Sequence, residues 1–389
     1  MNRVLILQYF KIRKLTYMTH KTAHFEYVTR VYPSDIHWAD HCALMYAVFE
    51  MSVFYPLNSI EMSEKLAVKY IEKSDWHVLC PAIDMHKRST YHMNMEGGIS
   101  VIIDSHAHYN NSAYRKPFRY LTYDKDGYTL KEGELPQLMQ EMKEANIRYF
   151  IEPGVSLQSC EEVLQLCSEY PGQIFPAIGV HPTRSIFEKW SDRHKLAAYA
   201  NTPGVIAIGE IGLDYHYKRE EQHRLKQHIW FIYQLNLAWK LKLPVILHVR
   251  DAHEDALRIL RWHPARKLGG VIHCFYGSKE IAEQYLKLGY HFGIGGSVLQ
   301  LEERAKDLWE ALPSIPLDRI LLETDAPFIL PYCKDVIQPK LLRRARNTSL
   351  ILPAVIKKIA ELKGISPDEV EQATTENTIR LFSLPIEHV

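Results

Sequence analysis

The chain has 389 residues, with 47 Lys and Arg against 46 Asp and Glu, a net charge of +1, and 47% hydrophobic residues. That length allows one large α/β domain with something smaller beside it. The composition excludes a disordered, collagen-like or disulfide-stapled chain, and the balanced charge excludes a basic coat for nucleic acid, so any such contact must be local.

The six cysteines (Cys42, Cys80, Cys160, Cys167, Cys274 and Cys333) include no CxxC pair. Nothing in their use suggests an oxidising compartment, so a cytoplasmic protein is expected. Cys160 and Cys167, seven apart on a predicted helix, read as small apolar residues of one core-facing side. The longest apolar run, Ala43 to Leu57, is interrupted by Glu50 and falls short of the ~20 residues that span a bilayer. No signal peptide and no membrane contact are expected.

Composition changes near residue 95. Residues 1–95 contain no Gly, although they hold eight of the ten Met and seven of the 20 His. Alternating strands and helices need Gly at their tight connections, so this segment is built differently from the rest. It reads as an extension or small domain of unassigned fold, with one amphipathic helix at Ser63 to Ser74; residues 96–389 form the main domain.

Beyond residue 99 the pattern is regular. Apolar, β-rich runs fall at 99–108, 147–153, 174–182, 205–215, 243–250, 269–275, 290–298 and 319–327. Their near-continuous Val, Ile, Leu and Ala suit strands buried on both faces. Helical periodicity separates them at 135–146, 156–170, 219–242 and 279–289, and two helices close the chain at 350–363 and 367–382. Eight strands alternating with helices predict a (β/α)8 TIM barrel. The doubly wound alternative lacks a GxGxxG after the first strand.

A barrel places its site at the C-terminal ends of its strands. The first predicted strand ends in Asp104-Ser105-His106-Ala107-His108, where a side-chain period of two turns both histidines to the same side. The fourth ends in Glu210, the fifth in His248, the sixth in His273 and the eighth in Asp325. Polar rings and charges are too costly to gather there unpaired. Two divalent ions, with a carboxylate between them, supply the missing partner.

This constellation resembles the TatD-related deoxyribonucleases, metal-dependent hydrolases within the amidohydrolase-like barrels. The likeness covers about residues 100–385. It rests on DSHAH, GVHP, IGEIGLDY, LPVILHVRDA, VIHCFYGS, LLETDAPF and TTENTIRLF. It implies that His106 and His108 hold one metal with Asp325, that His248 and His273 hold the second, and that Glu210 bridges them. The family's HCFSGS segment carries Tyr276 where Ser is usual, which bears on substrate preference. The first loop, Tyr109 to Gly133, is long and rich in aromatic and basic residues, a composition suited to stacking on bases.

The expected chemistry is hydrolysis by metal-activated water. Asp325 would orient and deprotonate that water, and Glu210 would keep the ions apart. The donor set accommodates Mg, Mn or Zn. His181 and Arg250 are candidates to hold a phosphate. Asp214 is a further substrate-side candidate that could instead orient a ligand histidine. For Arg250 the alternative is a salt bridge with Asp251 or Glu254. Asp104 and Glu323, each two residues before a donor, are expected one layer lower. Three functions compete: a 3′-exonuclease acting on DNA or RNA ends, an ester or amide hydrolase such as an aminoacyl-tRNA deacylase, and a non-catalytic scaffold. The intact donor set weighs against the scaffold. Oligomeric state is not legible in the sequence.

Overall fold

The structure is a computed structural model that describes residues 101–217 and 221–386. The expectations for residues 1–95, including the Ser63 to Ser74 helix, Cys42 and Cys80, lie outside the described residues.

Strand β1 (Ile102–Asp104) is followed by a hairpin of β2 (Phe118–Asp124) and β3 (Gly127–Gly133). The hairpin corrects the reading of 109–133 as a long loop. Phe118 and Tyr120 are buried while Arg119 between them is half-exposed, the period-two pattern of a strand. Asp124 Oδ1 accepts the Asp126 N–H at 2.8 Å, and Gly127 takes φ 103°, which turns the chain back. The chain then alternates: α1 (Leu135–Glu144), β4 (Ile147–Pro153), α2 (Leu157–Glu169), β5 (Ile174–Ile178), α3 (Pro182–Ser185), α4 (Arg193–Ala200) and β6 (Ala207–Asp214). Next come α5 (Glu221–Leu241), β7 (Val245–Arg250), α6 (His253–Trp262), β8 (Gly270–Ile272), α7 (Lys279–Lys287), β9 (His291–Ile294), α8 (Glu302–Ala311) and β10 (Ile320–Leu322). The last elements are α9 (Pro339–Leu342), β11 (Ala345–Arg346), α10 (Leu352–Lys363) and α11 (Pro367–Phe382).

Local signals explain the helix ends. Ser156 caps α2 by accepting the Ser159 N–H. Gly364 ends α10 in the left-handed region at φ 67°. Ser366 and Glu369 form a reciprocal capping box on α11, with Pro367 in its first turn.

Eight strands form one sheet in the order β1-β4-β5-β6-β7-β8-β9-β10. All their paired neighbours run parallel. Backbone bonds close the circle between the first and last strands: Ser105 N to Leu322 O at 2.8 Å, Asp325 N to His106 O at 2.9 Å, and His108 N to Ala326 O at 2.7 Å. The result is the expected (β/α)8 barrel. The hairpin stands outside it and gains β11, whose Ala345 and Arg346 pair in parallel with Arg119 and Tyr120.

Several strands are shorter than their apolar runs. Beyond Ile272 and Leu322 the chain leaves the ladder, and Cys274 (φ 45°) and Asp325 (φ 54°) adopt left-handed backbone. Non-glycine residues hold that conformation only where the surroundings impose it. Here the imposing contacts include Cys274 N to the Glu323 carboxylate and Asp325 N to His106 O.

The interior has two levels. Ile103, Ile151, Phe175, Ala177, Ala207, Ile246, Val271 and Leu321 pack with Phe382 and Leu384 into an apolar floor. The helices cover the outside through a larger cluster that includes Leu213, Leu247, Phe231 and Leu235. Above the floor the side chains become polar.

Candidate metal centre

Five of the barrel's strands deliver the six expected donors. On β7, His248 lies two residues beyond Ile246; past β8, His273 lies two beyond Val271; past β10, Asp325 lies two beyond Glu323. Period two thus carries an inward-facing position from floor to mouth. Strand β6 breaks that rule. Its register against β7 slips between Ile208 and Ile211, so three steps on β6 match two on β7, from Val245 to Leu247. The extra residue changes parity. Ala207 faces the floor and Glu210, rather than Gly209, joins the polar level. Glu210 is therefore within β6, not at its end as the sequence suggested.

Glu210 is 3% exposed and is surrounded by imidazoles. Its Oε2 is 3.6 Å from His106 Nε2 and 3.8 Å from His108 Nε2. Its Oε1 is 2.9 Å from His248 Nδ1, 3.4 Å from His181 Nε2 and 3.7 Å from His273 Nε2. Asp325 closes the other side, with Oδ1 3.4 Å from His108 Nε2 and 3.9 Å from His106 Nε2. The rings of His106 and His273 stack at 3.6 Å. All six residues expected as ligands therefore meet at one place.

The grouping differs in detail from the expected division. His106, His108 and Glu210 offer donor atoms within 4.8 Å of one another, as do His106, His273 and Asp325, and His181, Glu210 and His248. The structure brings His181, a candidate to hold a phosphate, against Glu210 and His248. The sequence signal for it was available, since GVHP ends a strand as the other donor segments do.

Electrostatics fits this donor set to cations. Burial alone would push Glu210 up; His181, His273 and His106 outweigh it and hold it well below the usual carboxylate range. Asp325 is likewise held down by His108 and His273 against its burial. Burial and the neighbouring His273 push His106 down to about 3. His273 resists its own burial because Glu323 and Glu210 push it up to about 10. His106 Nε2 and His108 Nε2, 3.2 Å apart, share at most one proton. Imidazoles gathered around two ionised carboxylates are the ligand types divalent ions take, and a bound ion would displace the proton that the carboxylates hold on His273.

A supporting shell fixes the donors. Asp214 Oδ2 lies 2.9 Å from His248 Nε2, while its Oδ1 accepts the N–H groups of His216 and Tyr217. It is 1% exposed, so it sits behind His248 and away from solvent. Glu323 Oε1 lies 3.3 Å from His273 Nδ1. A Cβ at position 293 would collide with the Glu323 carboxylate, and one at position 212 with the His248 carbonyl, so glycine at both lets the shell close. Asp104, buried, accepts from Thr324 Oγ1 and Ser349 Oγ, each at 2.6 Å, and burial pushes it up to about 7. Glu152 accepts the N–H groups of Tyr109 and Asn110 and so holds the loop after His108.

The shell also contains residues that sequence reasoning missed. Gln227 and Gln234 on α5 are buried and read as helix surface by composition. Each grips a strand-end backbone with both amide ends: Gln227 bonds Asp214 N and O, and Gln234 bonds Val180 N and O. Arg250 is exposed at the mouth, its guanidinium 4.9 Å over the Tyr217 ring and its Nη1 3.2 Å from Tyr217 Oη. The salt bridge considered for it is not formed: Asp251 pairs with His216 and Glu254 with Arg258.

A closed eight-strand parallel barrel with a His, Glu and Asp donor cluster at its mouth defines a metal-dependent hydrolase. The profile described as TatD related DNase matches residues 103–383. The uncharacterized metal-dependent hydrolase YabD of Bacillus subtilis is 32% identical over 73% of this chain and all of its own length. The 3′-5′ ssDNA/RNA exonuclease TatD of Erwinia billingiae is 37% identical over 64% of this chain and 93% of its own. Among solved structures, the TatD homologue YjjV of Escherichia coli superposes with a TM-score of 0.61 at 27% identity, over 73% of this chain and 98% of its own. The chain belongs to the TatD related DNase family. No helix among the described residues is long and apolar enough to cross a membrane.

Proposed function

We propose that this protein is a 3′-exonuclease that hydrolyses phosphodiesters at single-stranded DNA or RNA ends. The observation that carries the reading is the buried Glu210 carboxylate with five imidazoles around it, beside the more open Asp325. Relatives named as ssDNA/RNA exonucleases, at 35–37% identity, support the substrate class.

His106, His108 and Asp325 would hold one divalent ion, His248 and His273 a second, with Glu210 between them and His181 at hand beside the second. Bound there, Mg, Mn or Zn would supply charge for the phosphoryl oxygens and a lowered pKa for the attacking water. The protein's own part is positional and acid–base. The Asp325 side chain is 16% exposed against 4% for Glu210, so it is the carboxylate that water entering from the mouth meets. Held below its usual pKa, it is ready to orient that water and take its proton on a carboxylate oxygen. Asp214 and Glu323 fix the rings of His248 and His273. Arg250, held out on Tyr217, is placed to meet a phosphate.

We place the reaction in the cytoplasm, in keeping with the free Cys160, Cys167, Cys274 and Cys333. The family match, residues 103–383, leaves residues 1–95 outside it.

The test combines metal analysis with cleavage of end-labelled single- and double-stranded oligonucleotides, for the native protein and Asp325→Asn. Stepwise, metal-dependent loss of 3′ nucleotides that the variant abolishes is the expected result. Two bound metals without cleavage would overturn the nuclease reading and move the reaction to ester or amide substrates.

A further inference from the structure

Large apolar side chains exposed on a soluble barrel are informative when they gather at one place. Three exposed rings stand on loops that directly follow donor-bearing strands. Tyr217, 63% exposed, follows β6 and Asp214; Tyr276, 49% exposed, follows His273; Phe328, 51% exposed, follows Asp325. Each lies three residues beyond the polar side chain that precedes it. Burial would be the default for Phe, and a loop this close to the metal donors has ample core beneath it. These rings are instead left exposed on the loops that follow the donor strands.

Their placement is specific. In the closed barrel order, β6 is the fourth strand and β10 the eighth, so they face each other across the axis. Tyr217 and Phe328 therefore flank the donor cluster from opposite sides, and Tyr276, on the loop after the sixth strand, stands between them. Phe328 lies 6.2 Å from the His108 ring, centroid to centroid. Tyr217 is braced by Arg250, whose guanidinium lies 4.9 Å over its ring. A polyanion with flat, unpaired rings at regular spacing complements this surface in both charge and shape. An apolar peptide would leave Arg250 without a partner.

We propose that Tyr217, Tyr276 and Phe328 form a stacking rim that takes unpaired bases on either side of the scissile phosphodiester, and so selects single strands. The inference rests on the nuclease reading and adds how the substrate is chosen. Bases in a duplex are already stacked on their neighbours and held by their complement. To reach rings on opposite sides of the mouth, two successive bases must splay apart, which only an unpaired end does readily. Tyr276, in place of the family's usual Ser, gives this chain one ring more than that pattern provides.

The experiment compares steady-state cleavage of a single-stranded oligonucleotide with that of the same oligonucleotide carrying an abasic terminal or penultimate nucleotide. Native protein, Phe328→Ala, Tyr276→Ala and Phe328→Trp are measured side by side, with thermal melts to check folding. Removal of one stacked base should raise KM about tenfold for the native protein. Phe328→Ala and Tyr276→Ala should raise KM for the intact strand by a similar factor and lose discrimination at one of the two positions, while Phe328→Trp keeps it. Cleavage by the native protein with the same discrimination in both alanine variants would overturn the stacking rim while leaving the nuclease reading intact. No cleavage of any oligonucleotide by the metal-loaded native protein would overturn the nuclease reading itself, and the rim with it.

Discussion

His248 lies two positions beyond Ile246, His273 two beyond Val271, and Glu323 two beyond Leu321. Within that step the barrel passes from a packed apolar floor to a level crowded with imidazoles and carboxylates. The floor is stable without help, because its side chains are hydrophobic, buried and in contact. The mouth is the opposite. His106, held neutral by its surroundings, stacks on a His273 pushed up to about 10, and five rings compete for one carboxylate. The same strands therefore carry a region that specifies the fold and a region that only a bound partner satisfies. Function is located where stability is given up.

The sharpest way to test that division is Glu210→Gln. The change keeps volume and removes the charge that the imidazoles share. Turnover should fall by at least ~10³-fold, because the carboxylate proposed to lie between the ions is lost. Metal content should fall with it, while the unfolding midpoint of the metal-free protein should stay within a few degrees. A large drop in metal-free stability would mean that the mouth also holds the fold together, and the contrast would fail.

Ile246→Ala makes the converse test one layer below. It empties a fully buried floor position, which costs about 2–5 kcal/mol in such cores. Urea unfolding should show that loss, and kcat per folded molecule should stay close to native. A collapse of kcat at full folding would show that the floor positions the donors more tightly than its distance suggests.

Glu323→Gln probes the boundary between the two levels. Glu323 meets His273 Nδ1 at 3.3 Å and the Cys274 N–H. It is a positioning residue. Loss of such a partner weakens metal affinity ~10–100-fold. Titration with Mn or Zn should show that shift, and saturating metal should restore most of the activity. Asp214→Asn should act similarly through His248.

Much of this division is visible in the sequence, and its gaps have physical causes. The apolar runs give the strands because parallel strands are buried on both faces. The donors stand out because His and Asp are conspicuous at strand ends. The hairpin at Phe118 to Gly133 was hidden because its alternation is short and rich in polar residues. The parity change in β6 was hidden because a bulge is a relation between two strands, and one strand's periodicity contains no trace of it. Gln227, Gln234 and the bond from Ser349 to Asp104 depend on partners 13 to 245 residues away. No local pattern encodes them.

The smallest expected effect lies on the floor side, at its one conspicuous exception. His291 begins β9, pairs in register with Val271, and is 5% exposed two residues before the Gly293 that accommodates Glu323. Burial and the nearby Arg319 push it down to about 4. Unfolded, it would titrate near 6.5. The folded pKa lies below the unfolded one, so the unfolded chain binds the proton more readily. Stability from this group is complete above about pH 6.5 and is lost as pH falls toward 4. At pH 5.5 the loss should be about 1 kcal/mol, growing with further acidification. His291→Asn should flatten that part of the stability profile in urea unfolding followed from pH 7 to 5, measured on metal-free protein so that the mouth histidines do not release ions during the titration. An unchanged slope would assign the acid sensitivity to the mouth, and would make the floor pH-indifferent as well as apolar.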